Sequence, residues 1–289
     1  MDVASPAQVK AWCLSNGFHP NRALGQNFLV DEGALEGIAD AAGVKAGDTV
    51  LEIGPGLGVL TECLLARGID VYAIEKDTRL ADRLRANVEA ELAARGVSRP
   101  GELTLVAGDA LKTEWDALFA SRPFAACVSN LPYSVGTRIL LDLARNPAAP
   151  SVLTVLVQTE VAERFAASEG EKPRGQAGVW LQLDFDVKIV RDVPPGCFWP
   201  RPEVGSSVVR LDRHPCPLAP AERSLFYALT KAAFMHRRKQ LGGFFRKHPQ
   251  FPGILDALAA AGIPASARAE ELSNAQWAAL ARHASRLAQ

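Results

Sequence analysis

The sequence predicts an α/β protein, built as a mostly parallel sheet covered by helices and closed by an antiparallel edge strand, followed by a small all-helical domain. Three observations predict it. Short apolar runs alternate with helical stretches from residue 48 to residue 167; the glycines Gly54, Gly56 and Gly58 close the first of those runs; and no strand candidate follows residue 219. Strands alternating with helices at this spacing imply parallel strands joined by crossover helices.

Each element has a local reason. Ser5-Pro6 reads as an N-cap with proline at the first helical position, opening a helix that Gly17 ends. A second helix is expected over 32–42, stopped by Gly43. The run 48–53 is short, apolar and ended by glycines, as a buried parallel strand should be. Helix 60–67, strand 70–74, helix 78–94, and strands 103–107, 125–129 and 152–158 follow, the last leading into helix 160–167. Beyond residue 180 the pattern changes. Residues 181–190 and 206–211 read as two strands flanking the proline-rich stretch 193–202, which suits an antiparallel edge. A domain boundary is expected at the proline-rich 214–220, giving domains 1–214, with an N-terminal helical extension, and 215–289.

Composition narrows the class. The 289 residues suffice for one large domain and a smaller one, and 48% hydrophobic with 22% charged residues is ordinary for a globular chain. No apolar run is long enough to span a bilayer, and the first thirty residues lack a signal peptide's pattern. The five cysteines are scattered and contain no C-x-x-C pair, which argues for reduced thiols and against a zinc site. A cytoplasmic monomer without a metal is expected. Net charge is zero, yet between residues 221 and 250 Arg223, Lys231, Arg237, Arg238, Lys239, Arg246 and Lys247 face only Glu222, a local charge of +6. Such a patch can dock on phosphate although the whole chain is neutral; a solvated helix face is the plainer alternative.

The chemistry is read at the ends of successive strands. Gly54, Gly56 and Gly58 follow Glu52 as a G-x-G-x-G turn, which lets backbone approach a nucleotide-like ligand. The dinucleotide fingerprint needs a glycine where Val59 stands, so the cluster suits S-adenosyl-L-methionine better than NAD. Glu75, ending the second strand, can accept from ribose hydroxyls, and Asp109, after the third, from an adenine amino group. The fourth strand runs into Asn130-Leu131-Pro132-Tyr133. The amine of adenine is a poor nucleophile because its lone pair is delocalised. The Asn130 side-chain oxygen and the Leu131 carbonyl, in a turn that Pro132 stiffens, could accept both N–H bonds, and Tyr133 could stack on the extruded base. Phe198, held between prolines, is either a second stacking face or an apolar plug.

With these residues in view, the sequence resembles the ribosomal RNA adenine dimethyltransferases of the kasugamycin-sensitivity type. The resemblance runs from about Pro20 to Leu280 through Leu24-Gly-Gln-Asn-Phe-Leu29, Glu52-Ile-Gly-Pro-Gly-Leu-Gly58, Asn130-Leu-Pro-Tyr133, Val193-Pro-Pro-Gly196, Arg237-Arg-Lys239 and Arg268-Ala-Glu-Glu-Leu-Ser273. It implies a Rossmann-like class I methyltransferase domain and a helical rRNA-binding domain. The implied reaction dimethylates two adjacent adenosines near the 3′ end of 16S rRNA, in the 30S subunit or its precursor. It implies cofactor contacts at Asn27, Leu29, Gly54, Glu75, Asp109 and Asn130, of which Asn27 and Leu29 rest on the resemblance alone. Thr159, Glu203 and Gly205 depart from the family's usual residues, and the first two remove positive charge from the expected RNA face. Three other readings stay open: an erythromycin-resistance-type 23S rRNA methyltransferase, a DNA adenine methyltransferase, and a non-catalytic assembly factor.

Overall fold

The computed structural model describes residues 5–20, 27–246 and 248–287. Ser5 accepts from the Gln8 N–H and opens α1 (Pro6–Ser15). After β1 (Phe28–Leu29), Asp31 caps α2 (Glu32–Ala42), which Gly43 closes in the left-handed conformation. The alternating run then unfolds as expected: β2 (Thr49–Ile53), α3 (Val59–Ala66), β3 (Asp70–Glu75), α4 (Thr78–Ala94) and β4 (Leu103–Ala107). Helices α5 (Trp115–Ser121) and α6 (Gly136–Arg145) add to the expected set, on either side of β5 (Ala126–Asn130). Next come β6 (Val152–Gln158), α7 (Thr159–Ala166), α8 (Gln176–Leu181), β7 (Phe185–Val193), β8 (Phe198–Trp199) and β9 (Ser206–Arg213). Four helices finish the described chain: α9 (Pro220–Met235), α10 (Leu241–Phe245), α11 (Ile254–Ala260) and α12 (Asn274–Leu287).

The seven-stranded sheet has the order β4-β3-β2-β5-β6-β9-β7. Strands β4 to β6 are parallel, and β9 runs antiparallel to β6 from Val152↔Asp212 to Gln158↔Ser206. The chain builds outward from β2 to β4 and then returns to place β5 on the other side of β2. That reversal is a topological switch point, where a crevice opens outside the carboxyl ends of the strands. Val50, Leu51, Ala126, Cys127 and Val128 of β2 and β5 are wholly buried, so apolar side chains fix the two strands that border the crevice.

Two compact units account for the contacts. One gathers the described residues of Met1–Ala162 and Lys188–Arg213, the other those of Glu163–Val187 and His214–Gln289. A single cut between 214 and 215 therefore does not describe the contacts, because residues 163–187 join the second unit. There Val179 and Leu183 pack in an apolar cluster with Phe226, Leu229 and Trp277, and wholly buried Arg174 donates to the carbonyls of Ala167 and Leu272 and to Asn274 Oδ1. The same packing corrects the strand expected over 181–190: Leu181 ends α8, and strand begins only at Phe185. The run is apolar enough for either state; Val179 is buried within α8, the helix runs on to Leu181, and a turn over 182–184 precedes the strand.

Candidate active site

The glycine turn after β2 takes a form that side chains would oppose. Gly54 and Gly58 have φ of 68° and 87°, in the left-handed region where a Cβ is strained. A Cβ on Gly54 would also stand 3.2 Å from Pro132 Cγ, so the turn and the Asn130–Tyr133 tetrad are packed against each other. The Gly54 N–H donates to the Ile74 carbonyl at 2.9 Å, and behind the turn Arg83, itself paired with Glu91, donates to the Leu57 carbonyl at 2.6 Å.

Glu75, at the end of β3, is nearly buried and accepts the Gly56 N–H at 2.9 Å and the Asp77 N–H at 2.8 Å. Burial raises its carboxyl above the ordinary value, and the two N–H donors pull it back. Asp109 follows β4; its Oδ1 accepts the Leu111 N–H and its Oδ2 meets Lys76 Nζ at 2.9 Å. The Lys76 hydrogen bond holds the Asp109 carboxyl below its usual range. Glu52 is wholly buried, accepts from Thr61 Oγ1 at 2.7 Å, and is pushed up to about 8, chiefly by burial.

These groups share one cleft of about 1060 Å³, part of it open to solvent. Its walls include Asn27, Leu29, Gly54, Gly56, Glu75, Asp109 and Asn130, so every contact implied by the resemblance lies on one surface. Gly58 stands just behind this wall, as the N-cap of α3. Leu131 and Pro132 also line it; Leu131 is buried, with its N–H on the Leu156 carbonyl, and the Pro132 carbonyl accepts from Gly136 at the start of α6. Asn130 is thereby set at the strand's carboxyl end, beside the glycine turn. Tyr133 is half-buried, and its hydroxyl meets Ser206 Oγ at 2.6 Å.

Other expected residues lie elsewhere. Phe198 is 3% exposed, in an apolar cluster with Phe28 and Leu29, and its strand β8 pairs with β1 through Leu29↔Phe198. It stands here as the apolar plug, with no face open to the cleft. In the second unit Lys231, Arg238, Lys239 and Arg246 are exposed. Arg237 is half-buried instead, donating to Glu270 at 3.1 Å and to the Lys172 carbonyl at 2.6 Å, so its guanidinium serves that unit's own packing. Lys247, and Leu24-Gly-Gln26 of the first motif, lie outside the described residues. Lys76, Glu52 and Ser206 had no site role assigned from sequence. Ser206 carried no signal at all, being 73 residues from its partner.

The family model for ribosomal RNA adenine dimethylase matches residues 17–285. The chain belongs to that family. Dimethylase relatives include two proteins named ribosomal RNA small subunit methyltransferase A. That of Phenylobacterium zucineum is 40% identical over 267 residues, 92% of this chain and 89% of the relative; that of Brucella canis is 42% identical over 265 residues, 91% of each. Among solved structures, a dimethyladenosine transferase from Plasmodium falciparum superposes with a TM-score of 0.71 at 25% identity, over 86% of this chain and 94% of that one. The 23S rRNA methyltransferase ErmE gives 0.65 at 26%, over 89% and 99%. The dimethylase is thus an S-adenosylmethionine-dependent rRNA methyltransferase with a Rossmann-like fold. No helix among its described residues is long and apolar enough to cross a membrane.

Proposed function

We propose that this enzyme dimethylates the N6 amines of two adjacent adenosines near the 3′ end of 16S rRNA, acting as a cytoplasmic monomer on the 30S subunit or its precursor and contributing to its assembly. One observation carries the chemistry: the Asn130–Tyr133 tetrad stands at the end of β5, with Pro132 packed on the Gly54 turn of the cofactor cleft. The small-subunit target follows from the relatives' names.

The cleft suits the cofactor. Glu75 keeps lone pairs for ribose hydroxyls after accepting two backbone N–H groups, Asp109 offers an acceptor for the adenine amine, and the glycines leave backbone within reach. We assign Asn27, Leu29, Gly54, Gly56, Gly58, Glu75, Asp109 and Asn130 to holding it. S-adenosylmethionine supplies an electrophilic methyl group. The protein's part is the amine: Asn130 Oδ1 and the Leu131 carbonyl accept its N–H bonds, localise the lone pair and orient it, while Tyr133 holds the base. Lys231, Arg238, Lys239 and Arg246, with Lys247, would meet RNA phosphates.

Purified 30S and 50S particles offered with labelled cofactor test the target. Label as N6,N6-dimethyladenosine in 16S rRNA is expected; label confined to 23S rRNA would replace this reading with the 23S one, which the likeness to ErmE favours.

A further inference from the structure

The Tyr133 hydroxyl does not end in solvent. It meets Ser206 Oγ at 2.6 Å, and Ser206, the first residue of β9, is wholly buried opposite Gln158 in the β6–β9 ladder. The anchor is itself fixed. Ser207, on the other face of β9, donates to Asp192 Oδ1 at 2.7 Å and shares a hydroxyl–hydroxyl hydrogen bond of 3.1 Å with Thr159 Oγ1, and the Thr159 N–H donates to the Gly205 carbonyl at 3.0 Å. The ring that leaves β5 is therefore tied across β6 to a strand start held by three further hydrogen bonds.

A tether at the far end of a tyrosine ring fixes its position and tilt, which rotation about χ1 and χ2 would otherwise leave adjustable. This constraint weighs unequally on two successive methylations of one amine. Unmethylated N6 carries two N–H bonds, so Asn130 Oδ1 and the Leu131 carbonyl can each take one. In the first methylation N6 gains the methyl released from the sulfonium and sheds one proton to water, so a single N–H remains. One of the two grips is lost, and alignment of the base then depends more on its stacking face.

We propose that Ser206 is a positioning residue that holds the Tyr133 ring as a fixed platform and so governs the conversion of N6-methyladenosine to N6,N6-dimethyladenosine. The inference rests on the role given to the tetrad under Proposed function. Two residues remote in sequence thereby make one working unit, with Tyr133 touching the base and Ser206 acting through it.

Single-turnover methylation of unmethylated small subunits, with mono- and dimethyladenosine resolved by mass spectrometry, tests this in the full-length enzyme. Wild type, Ser206→Ala, Tyr133→Phe and the double variant are compared. Each single variant should slow the second transfer about three- to tenfold, the loss of one modest hydrogen bond, and the first transfer less. The double variant should be no slower than the worse single one. A merely structural loss would lower both transfers together and leave the product ratio at its wild-type value. An unchanged ratio in Ser206→Ala, or effects that multiply in the double variant, overturns the proposal. If Ser206→Ala does not fold, Tyr133→Phe, which removes one oxygen and keeps the ring, decides by the same ratio. Failure of the wild-type enzyme to label any small-subunit adenosine would instead sink the functional reading, and this inference with it.

Discussion

The backbone N–H of Gly56 donates to the Glu75 carboxylate across 2.9 Å, so the glycine turn after β2 and the acid ending β3 form one hydrogen-bonded unit. The second oxygen of the same carboxylate holds the Asp77 N–H at the head of α4. Glu75 is thus shaped by its neighbours before any ligand arrives.

Glu75→Ala removes an acceptor from two backbone donors and from the proposed ribose contact. Hydrogen bonds to a charged group are each worth about 1.5–3 kcal/mol. Cofactor affinity, read by calorimetry with S-adenosylhomocysteine, should fall at least roughly tenfold, and the protein should still fold. Unchanged affinity would remove Glu75 from the site.

Lys76 competes for the carboxylate assigned above to the cofactor. Its ammonium sits on Asp109 Oδ2 at 2.9 Å while 59% exposed, so the pair is weak and can open. Lys76→Ala should free Asp109 and tighten binding of the cationic cofactor about two- to fivefold, the scale of an exposed ion pair. Asp109→Asn should do the opposite. Titrations of both variants check the signs, and weaker binding in Lys76→Ala would mean that Lys76 is itself a ligand.

Much of this is legible in the sequence. The strands β2 to β6 and helices α2 and α4 follow from apolar runs and glycine stops, because a buried parallel strand and a left-handed helix end leave local marks. The glycine turn, Glu75, Asp109 and the Asn130–Tyr133 tetrad were legible for the same reason: each sits at a strand's carboxyl end. What stayed hidden depends on distant partners. Helix α8 carries Val179 into the apolar cluster that holds Phe226 and Trp277, and nothing near residue 180 in the chain announces those partners. Arg237 reads as a phosphate ligand in the sequence, but Glu270, 33 residues away, holds its guanidinium. Phe198 is closed off by β1, two residues long and too short to leave a pattern.

Buried Glu52 predicts a pH-dependent stability. Its carboxyl is raised from 4.5 to about 8, first by burial and then by nearby Glu75, against the Thr61 hydrogen bond. Between those values the unfolded chain has lost the proton and the folded one keeps it, so the ligand-free protein loses stability as pH rises from 4.5 to 8. Glu52→Gln, neutral and still able to accept from Thr61, should flatten that slope and be the more stable protein at the alkaline end, by on the order of a few kcal/mol. Glu62 and Glu75, also raised by burial, leave part of the slope in place. Urea unfolding at several pH values measures it, and parallel curves for the two proteins would refute the assignment.

Arg174 should prove to be the second unit's most sensitive polar residue. It is 1% exposed and donates to Ala167, Gln182, Leu272 and Asn274, which come from three separate stretches of chain. Arg174→Met leaves buried acceptors unsatisfied and should cost at least about 3 kcal/mol. Lysine should not rescue it, since one ammonium cannot span the planar fork. Hydrogen exchange should show the loss in α8, α9 and α12, with β2 and β3 keeping wild-type protection.

Asn130→Ala separates catalysis from docking. The side-chain oxygen of Asn130 is assigned to accepting an N–H of the target amine, while RNA affinity is assigned to Lys231, Arg238, Lys239 and Arg246 of the other unit. Losing a positioned hydrogen-bonding group at a reacting atom typically lowers turnover by about 100-fold or more. Methyl incorporation should fall on that scale, yet the variant should still pellet with small subunits as wild type does, since no phosphate contact has changed. The reverse charge test completes the cycle. Replacing Arg238 and Lys239 together by alanine should weaken particle binding and reduce its salt dependence, leaving single-turnover methylation at saturating particle concentration near wild type. Dimethyladenosine forming at the wild-type rate in Asn130→Ala would overturn the orienting role of the tetrad, whatever the pelleting shows.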